Sequence, residues 1–150
     1  MQYFIMSGIA FITDYFSKKE VNRRLPLYEK KQVKKLPLYF CHIKNRGFAY
    51  HILSGKRQTI LLSSGTVLAG CASILAYLLP KKGRQLEKIG LSLILGGGLG
   101  NFWERLKDHR VTDFLYLPLG KKAPIFNLAD FWIWIGTVCC ICSSIFVKYE

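Results

Sequence analysis

Between Gln58 and Leu79 the chain reads QTILLSSGTVLAGCASILAYLL, 22 residues without a single charge. At ~1.5 Å of rise per helical residue such a run crosses the ~30 Å of hydrocarbon in a bilayer. A chain that carries it either lives in a membrane or must bury the whole helix. With 150 residues and 51% apolar content there is one domain's worth of chain, and the composition favours the membrane.

Three further segments extend that reading. Phe126 to Val147 is as long and holds one charge, Asp130. Ile89 to Trp103 is apolar and reaches spanning length when Glu87, Lys88, Glu104 and Arg105 extend to the two interfaces. The N-terminal run is shorter and extends helically past Asp14. The expected fold is therefore an all-α membrane protein with four transmembrane helices, at about 2–16, 58–79, 87–106 and 126–147, in a single domain over 1–150. A cleaved leader is the rival for the first segment, but it lacks a basic start and a small-x-small site before Lys18 and Lys19. A small strand-rich segment is expected at about 36–53, where PLYFCHIKNRGFAYHIL reads as a strand pair turning at Asn45-Arg46-Gly47.

Four spans place the segments 17–57 and 104–125 on the same side of the membrane. Asp14, Asn45, Asn101, Arg105, Asp113, Asn127 and Asp130 all fall at that side, whichever way the protein faces. Helical spacing groups them further: Gly97, Asn101 and Arg105 form one ridge, Asn127 and Asp130 are one turn apart, and so are Asp14 and Lys18. Asp113 falls in the loop after the third span, and Asp130 lies about one turn inside the fourth.

Two carboxylates brought together at a membrane interface cannot both ionise cheaply, because each opposes the other's charge and poor solvation opposes both. They share a proton, which is the condition for water-mediated peptide hydrolysis: the ionised aspartate takes a proton from water and the protonated one polarises the scissile carbonyl. Simpler roles compete. Asp130 suits a helix N-terminal charge, and Asp14 with Lys18 suits an interface pair ending a helix. The run Gly96-Gly97-Gly98-Leu99-Gly100-Asn101 lacks the Lys-Ser/Thr of a phosphate loop, and its spacing suits close helix packing. His42, His51 and His109 and the five cysteines show no metal spacing, so no metal and no cofactor is expected.

The ordered set Asp14-x-x-Ser17-Lys18, NRGFAY (45–50), GGGLGNFWER (96–105), VTDF (111–114) and FNLAD with IWIG (126–136) resembles the lipoprotein signal peptidase, or signal peptidase II, family over nearly the whole chain. The resemblance implies a four-span membrane aspartyl protease that removes signal peptides from prolipoproteins, cutting before a diacylglyceryl-modified cysteine. It implies Asp113 and Asp130 as the catalytic dyad. Asn45, Gly47, Asn101, Arg105 and Asn127, with Asp14 and Lys18, are implied as supporting or substrate-binding residues. Glu104, His109 with Arg110, Phe48 and Tyr50 depart from the family's usual residues at their positions, which bears on substrate fit and loop geometry.

The segment 17–57 carries twelve Lys and Arg against two Glu, so a count of positive charges places it in the cytoplasm. The resemblance implies the opposite, an active side facing out of the cytoplasm of a bacterial inner membrane, with the basic segment on anionic lipid headgroups. Expected partners are lipid-modified prolipoproteins and anionic lipids. Membrane surface accounts for the net charge of +13 more simply than nucleic acid does. The alternative function is a non-catalytic membrane protein that binds lipid or a partner on the same scaffold.

Overall fold

A computed structural model describes residues 1–34, 36–47, 56–118 and 123–146. In chain order the elements are α1 (Gln2–Arg24), β1 (Lys30–Gln32), β2 (Tyr39–Asn45), α2 (Arg57–Leu78), α3 (Gln85–Asp108), β3 (Val111–Tyr116), β4 (Ile125–Phe126) and α4 (Leu128–Phe146). Helix dominates, and the four strands form one antiparallel sheet in the order β1-β2-β3-β4.

The helix ends follow local chemistry. α1 carries Arg23 and Arg24 in its last turn, against the negative end of the helix dipole. It stops at Leu25, whose extended backbone is what a residue before proline prefers. α3 stops where His109 adopts a left-handed backbone, φ 57°, which turns the chain directly into β3.

Two helices, α2 and the stretch Leu128–Ile145 of α4, are long and apolar enough to cross a membrane, and only 17% of each apolar window is buried. The core helix of a soluble protein would be mostly covered, so these helices present their apolar faces outward. α1 and α3 are of comparable length but interrupted by charge. α1 continues past the expected span 2–16 to Arg24, so Asp14 and Lys18 lie inside the helix rather than at its end.

α3 is the hub, packed against α1, α2 and α4. Its approach to α4 depends on glycine: a Cβ on Gly90 would strike the Gly136 carbonyl oxygen and the Cys140 sulfur, and one on Gly136 would strike the Gly90 carbonyl oxygen. Apolar burial drives helix association poorly in lipid, so small residues that let backbones touch become the main device. Leu75 and Leu78 of α2 meet Leu91 of α3 in a small apolar cluster at the far end.

The sheet differs from expectation in what it recruits. β2 lies within the expected strand-rich segment, but its described partners are β1 and β3, and β3 is drawn from the region expected as a loop. The second strand expected beyond the Asn45-Arg46-Gly47 turn lies outside the described residues. β2 and β3 pair Ile43 with Asp113 and Asn45 with Val111, with an irregularity between Phe40 and Ile43. Asp113 is therefore a strand residue, and the two-residue period of β structure puts it on one face with Ile43, Asn45 and Val111.

Candidate active site

The polar residues meet where the sheet lies against the C-terminal halves of α1 and α3 and the start of α4. Asn127 precedes α4, and its side-chain oxygen accepts the N–H of Asp130 at 3.1 Å while an Asp130 carboxylate oxygen accepts the N–H of Asn127 at 3.0 Å. This reciprocal pair is a capping box, which satisfies two N–H groups that a helix start leaves over. Asp130 is thus a helix-cap residue, as the simpler reading of the sequence had it. Its other oxygen accepts the Asn101 side-chain N–H at 2.9 Å.

Asn127 also reaches the second aspartate. Its Nδ2 donates to Asp113 Oδ1 at 2.7 Å, and Asn45 Nδ2 donates to Asp113 Oδ2 at 3.1 Å. One residue therefore ties both carboxylates, Asp130 through its backbone N–H and Asp113 through its side-chain amide. Burial pushes the Asp113 carboxyl up to about 7, and the negative charge of Asp130 adds to the rise, while the hydrogen bonds from Asn45 and Asn127 oppose it.

Behind this layer lies a buried network. Lys18 is 3% exposed and Asp14 fully buried, and they form an ion pair at 2.7 Å. Lys18 Nζ also donates to Asn101 Oδ1 at 2.8 Å and lies 3.4 Å from Glu104. With its oxygen engaged by Lys18 and by Asn127 Nδ2 at 3.1 Å, Asn101 must turn its NH2 toward Asp130. Asp14 in turn accepts the Ala129 N–H at 2.9 Å, tying α1 to the first turn of α4. A Cβ on Gly100 would overlap the Asp14 carboxylate, so glycine there makes room for the ion pair.

The ridge expected on α3 divides its work. Gly97 meets Ala129, Trp132 and Ile133 of α4, Asn101 serves Asp130, and Arg105 donates to the Gly47 carbonyl at 3.2 Å. Gly47 N–H is in turn bonded to Asn45 Oδ1 at 2.9 Å, which orients the amide that serves Asp113. Sequence reasoning named Glu104 as an interface charge and as a departure, and passed over Thr112 and Lys44. Glu104 accepts the Thr112 N–H at 2.8 Å and hydroxyl at 2.6 Å, and Lys44 donates to that hydroxyl at 2.7 Å. The signal available was position: Glu104 is one turn from Asn101, and Lys44 and Thr112 adjoin Asn45 and Asp113.

Asn45, Asn101, Asp113, Asn127 and Asp130 all line one cavity of about 590 Å³. Its remaining walls are largely apolar and run along α4 through Phe131, Ile133 and Trp134 to Thr137. Among the described residues no three His, Cys, Asp or Glu side chains gather as a metal site. Cys41 on β2 is fully buried, and burial holds its thiol up at about 11, unsuited to nucleophilic work. The arrangement suits proton transfer at a bound water beside an apolar ligand, with two carboxylates in unlike surroundings.

The family model described as "Signal peptidase (SPase) II" matches residues 6–146. A lipoprotein signal peptidase of Shewanella sp. (strain MR-4) is 37% identical over 144 residues, covering 92% of this chain and 82% of its own. One from Francisella tularensis subsp. novicida (strain U112) is 36% identical over 157 residues, covering 99% and 94%. A solved structure described as a bacterial membrane enzyme, determined by the in meso method, superposes with a TM-score of 0.85 at 25% identity, covering 99% of this chain and 93% of that one.

Proposed function

The chain belongs to the signal peptidase II family, a family of membrane enzymes, and from that premise we propose that it cleaves signal peptides from lipid-modified prolipoproteins with Asp113 and Asp130 as an aspartic dyad. The observation that carries the dyad is Asn127, which hydrogen-bonds both carboxylates at the mouth of a largely apolar cavity.

In this reading Asp130 is the base. It sits at the positive end of the α4 dipole and accepts N–H groups from Asn101 and Asn127. Asp113, with its carboxyl near 7, holds the shared proton. Water between them loses a proton to Asp130 and attacks the scissile carbonyl, whose oxygen takes a hydrogen bond from Asp113. The tetrahedral intermediate collapses as Asp130 passes the proton taken from water to the leaving nitrogen, and the peptide C–N bond breaks, which restores both aspartates to their starting states. No covalent enzyme intermediate is needed. Asn45, Asn101 and Asn127 hold the carboxylates, Lys18 and Asp14 hold Asn101 and the start of α4, and Arg105 holds the Gly47 turn.

The apolar wall from Phe131 to Thr137 supports a substrate whose reactive bond is next to acyl chains. The lengths of α1 and α3 support four spans, since each is long enough to cross with its charges near the active end or at the opposite interface. The active side then faces out of the cytoplasm of a bacterial inner membrane, because a translocated cleavage site is reached only from there. The exposed lysines of β1 rest against anionic headgroups.

The test is incubation of the purified protein, in lipid, with a diacylglyceryl-modified precursor. Release of the signal peptide and a product that begins at the modified cysteine are expected. An intact precursor under conditions where a lipoprotein signal peptidase from a relative cleaves it would overturn the assignment.

A further inference from the structure

A second cavity, of about 290 Å³, opens between the start of α2 and the end of α3, lined by Arg46, Arg57, Arg105, Arg110, Asp108 and His109. Four guanidinium groups against one carboxylate is an excess of positive charge in a small space. Arg46, Arg57 and Arg110 form no ion pair among the described residues. Like charges gathered so closely repel one another, and a bound anion relieves that repulsion.

A second feature points the same way. α2 begins at Arg57 with no acidic residue in its first turn and no side-chain cap from Lys56, so its leading N–H groups and its positive dipole end lie at the cavity. The left-handed turn at His109 is what folds Arg110 back toward the same cavity. The floor is apolar, made by Ile60 and Leu61 in the second turn of α2, a helix long and apolar enough to cross the membrane. The cavity thus sits at the level where an apolar span gives way to its charged end.

We infer that this cavity is a binding site for a phosphate group at the membrane surface, held by Arg46, Arg57 and Arg110 and by the first N–H groups of α2. Guanidinium forks match phosphate oxygens in pairs, which an ammonium group does not. The two sources of such a group are an anionic phospholipid headgroup and free phosphate. The apolar floor favours the lipid. Arg105 lines both this cavity and the one that holds the aspartates, so the occupied site lies one side chain from the proposed chemistry. The site is separate from the cleavage reaction, and its occupancy is measured without a substrate.

The experiment uses the full chain in nanodiscs. One arm mixes phosphatidylglycerol into phosphatidylcholine and measures, by native mass spectrometry, which lipid stays on the protein. The other arm adds inorganic phosphate to phosphatidylcholine nanodiscs and follows the melting temperature. Wild type is expected to retain phosphatidylglycerol preferentially, and R57Q/R110Q to lose about fivefold of that preference, as suits partly exposed charge contacts. R57K/R110K should keep part of it, and K30Q/K31Q on β1, which meets headgroups only from an exposed strand, should lose clearly less than R57Q/R110Q. Retention of the lipid without a phosphate shift assigns the headgroup as source, and a phosphate shift abolished by R57Q/R110Q assigns the free anion. The inference is overturned if wild type shows neither effect, if R57Q/R110Q melts normally and matches wild type in both arms, or if K30Q/K31Q loses as much.

Discussion

α2 and the polar centre between α1, α3 and the start of α4 are built on opposite rules. α2 is the longer of the two helices with clear membrane-spanning character, yet Leu62, Val67, Ile74 and Tyr77 along it are half exposed or more, and Gly70 has nothing within 4 Å of where a Cβ would stand. In the polar centre Asp14, Lys18, Asn101, Asp113 and Asn127 are all buried. A soluble protein would be arranged the other way round. When the solvent is lipid, apolarity marks the periphery, and buried polar residues tied together by hydrogen bonds and an ion pair mark the candidate site.

The contrast breaks most sharply at Asp130. Asp130→Asn keeps the shape and replaces the proposed base, so precursor cleavage should fall by roughly 10²–10⁴-fold, measured as the rate of signal-peptide release, while no isosteric change on the outer face of α2 should approach that loss. Lys18→Met comes next. It leaves the fully buried Asp14 without its cation, while Glu104 keeps Lys44 at 3.8 Å, and removing one partner of a buried ion pair costs about 3–5 kcal/mol, to be read from thermal unfolding in a matched detergent. A stability equal to wild type would mean that the network is wetter than its burial indicates.

The pH profile sharpens the comparison further. The Asp113 carboxyl is raised from 3.8 to about 7, so its proton is present below that value and lost as the pH rises through it. Cleavage should decline above about pH 7, approaching tenfold per unit, with the apparent pKa belonging to the pair of aspartates rather than to either one. The smallest effects separate two glycines. Gly100→Ala drives a methyl group into the Asp14 carboxylate and should destabilise by about 1–3 kcal/mol. Gly70→Ala adds the same methyl group to open space and should change stability by less than about 1 kcal/mol.

Much of this was legible from residue type and position. The uncharged run before Leu79 marks α2, and the side-by-side logic of spans brings Asp14, Asn101, Asp113 and Asp130 to one end before any contact is known. Asn127 and Asp130, three apart at the start of an apolar run, read as neighbours one turn apart at a helix start, and the structure adds that each caps the other. The strand that carries Asp113 was not legible. VTDFLY is short and lies between a helix and a hydrophobic loop, and its strand character comes from pairing with β2, some 70 residues earlier in the chain, a partner that no local pattern reveals. The same holds for Lys18: its spacing to Asp14 predicts the ion pair, but only the closeness of α1 to α3, made possible by glycines 96 and 100, puts both groups behind Asn101. The bonding role of Glu104 was not legible because its partners Thr112 and Lys44 come from two different strands.

The most direct test of the dyad is a single-turnover measurement with Asp113→Asn, in which binding of a lipid-modified precursor and its cleavage are followed on the same sample. The variant keeps a side chain of the same shape in the same cavity but cannot hold the proton that the proposed mechanism assigns to Asp113. Bound precursor that stays uncleaved is the predicted result. Cleavage at the wild-type rate would contradict a mechanism in which Asp113 and Asp130 act together.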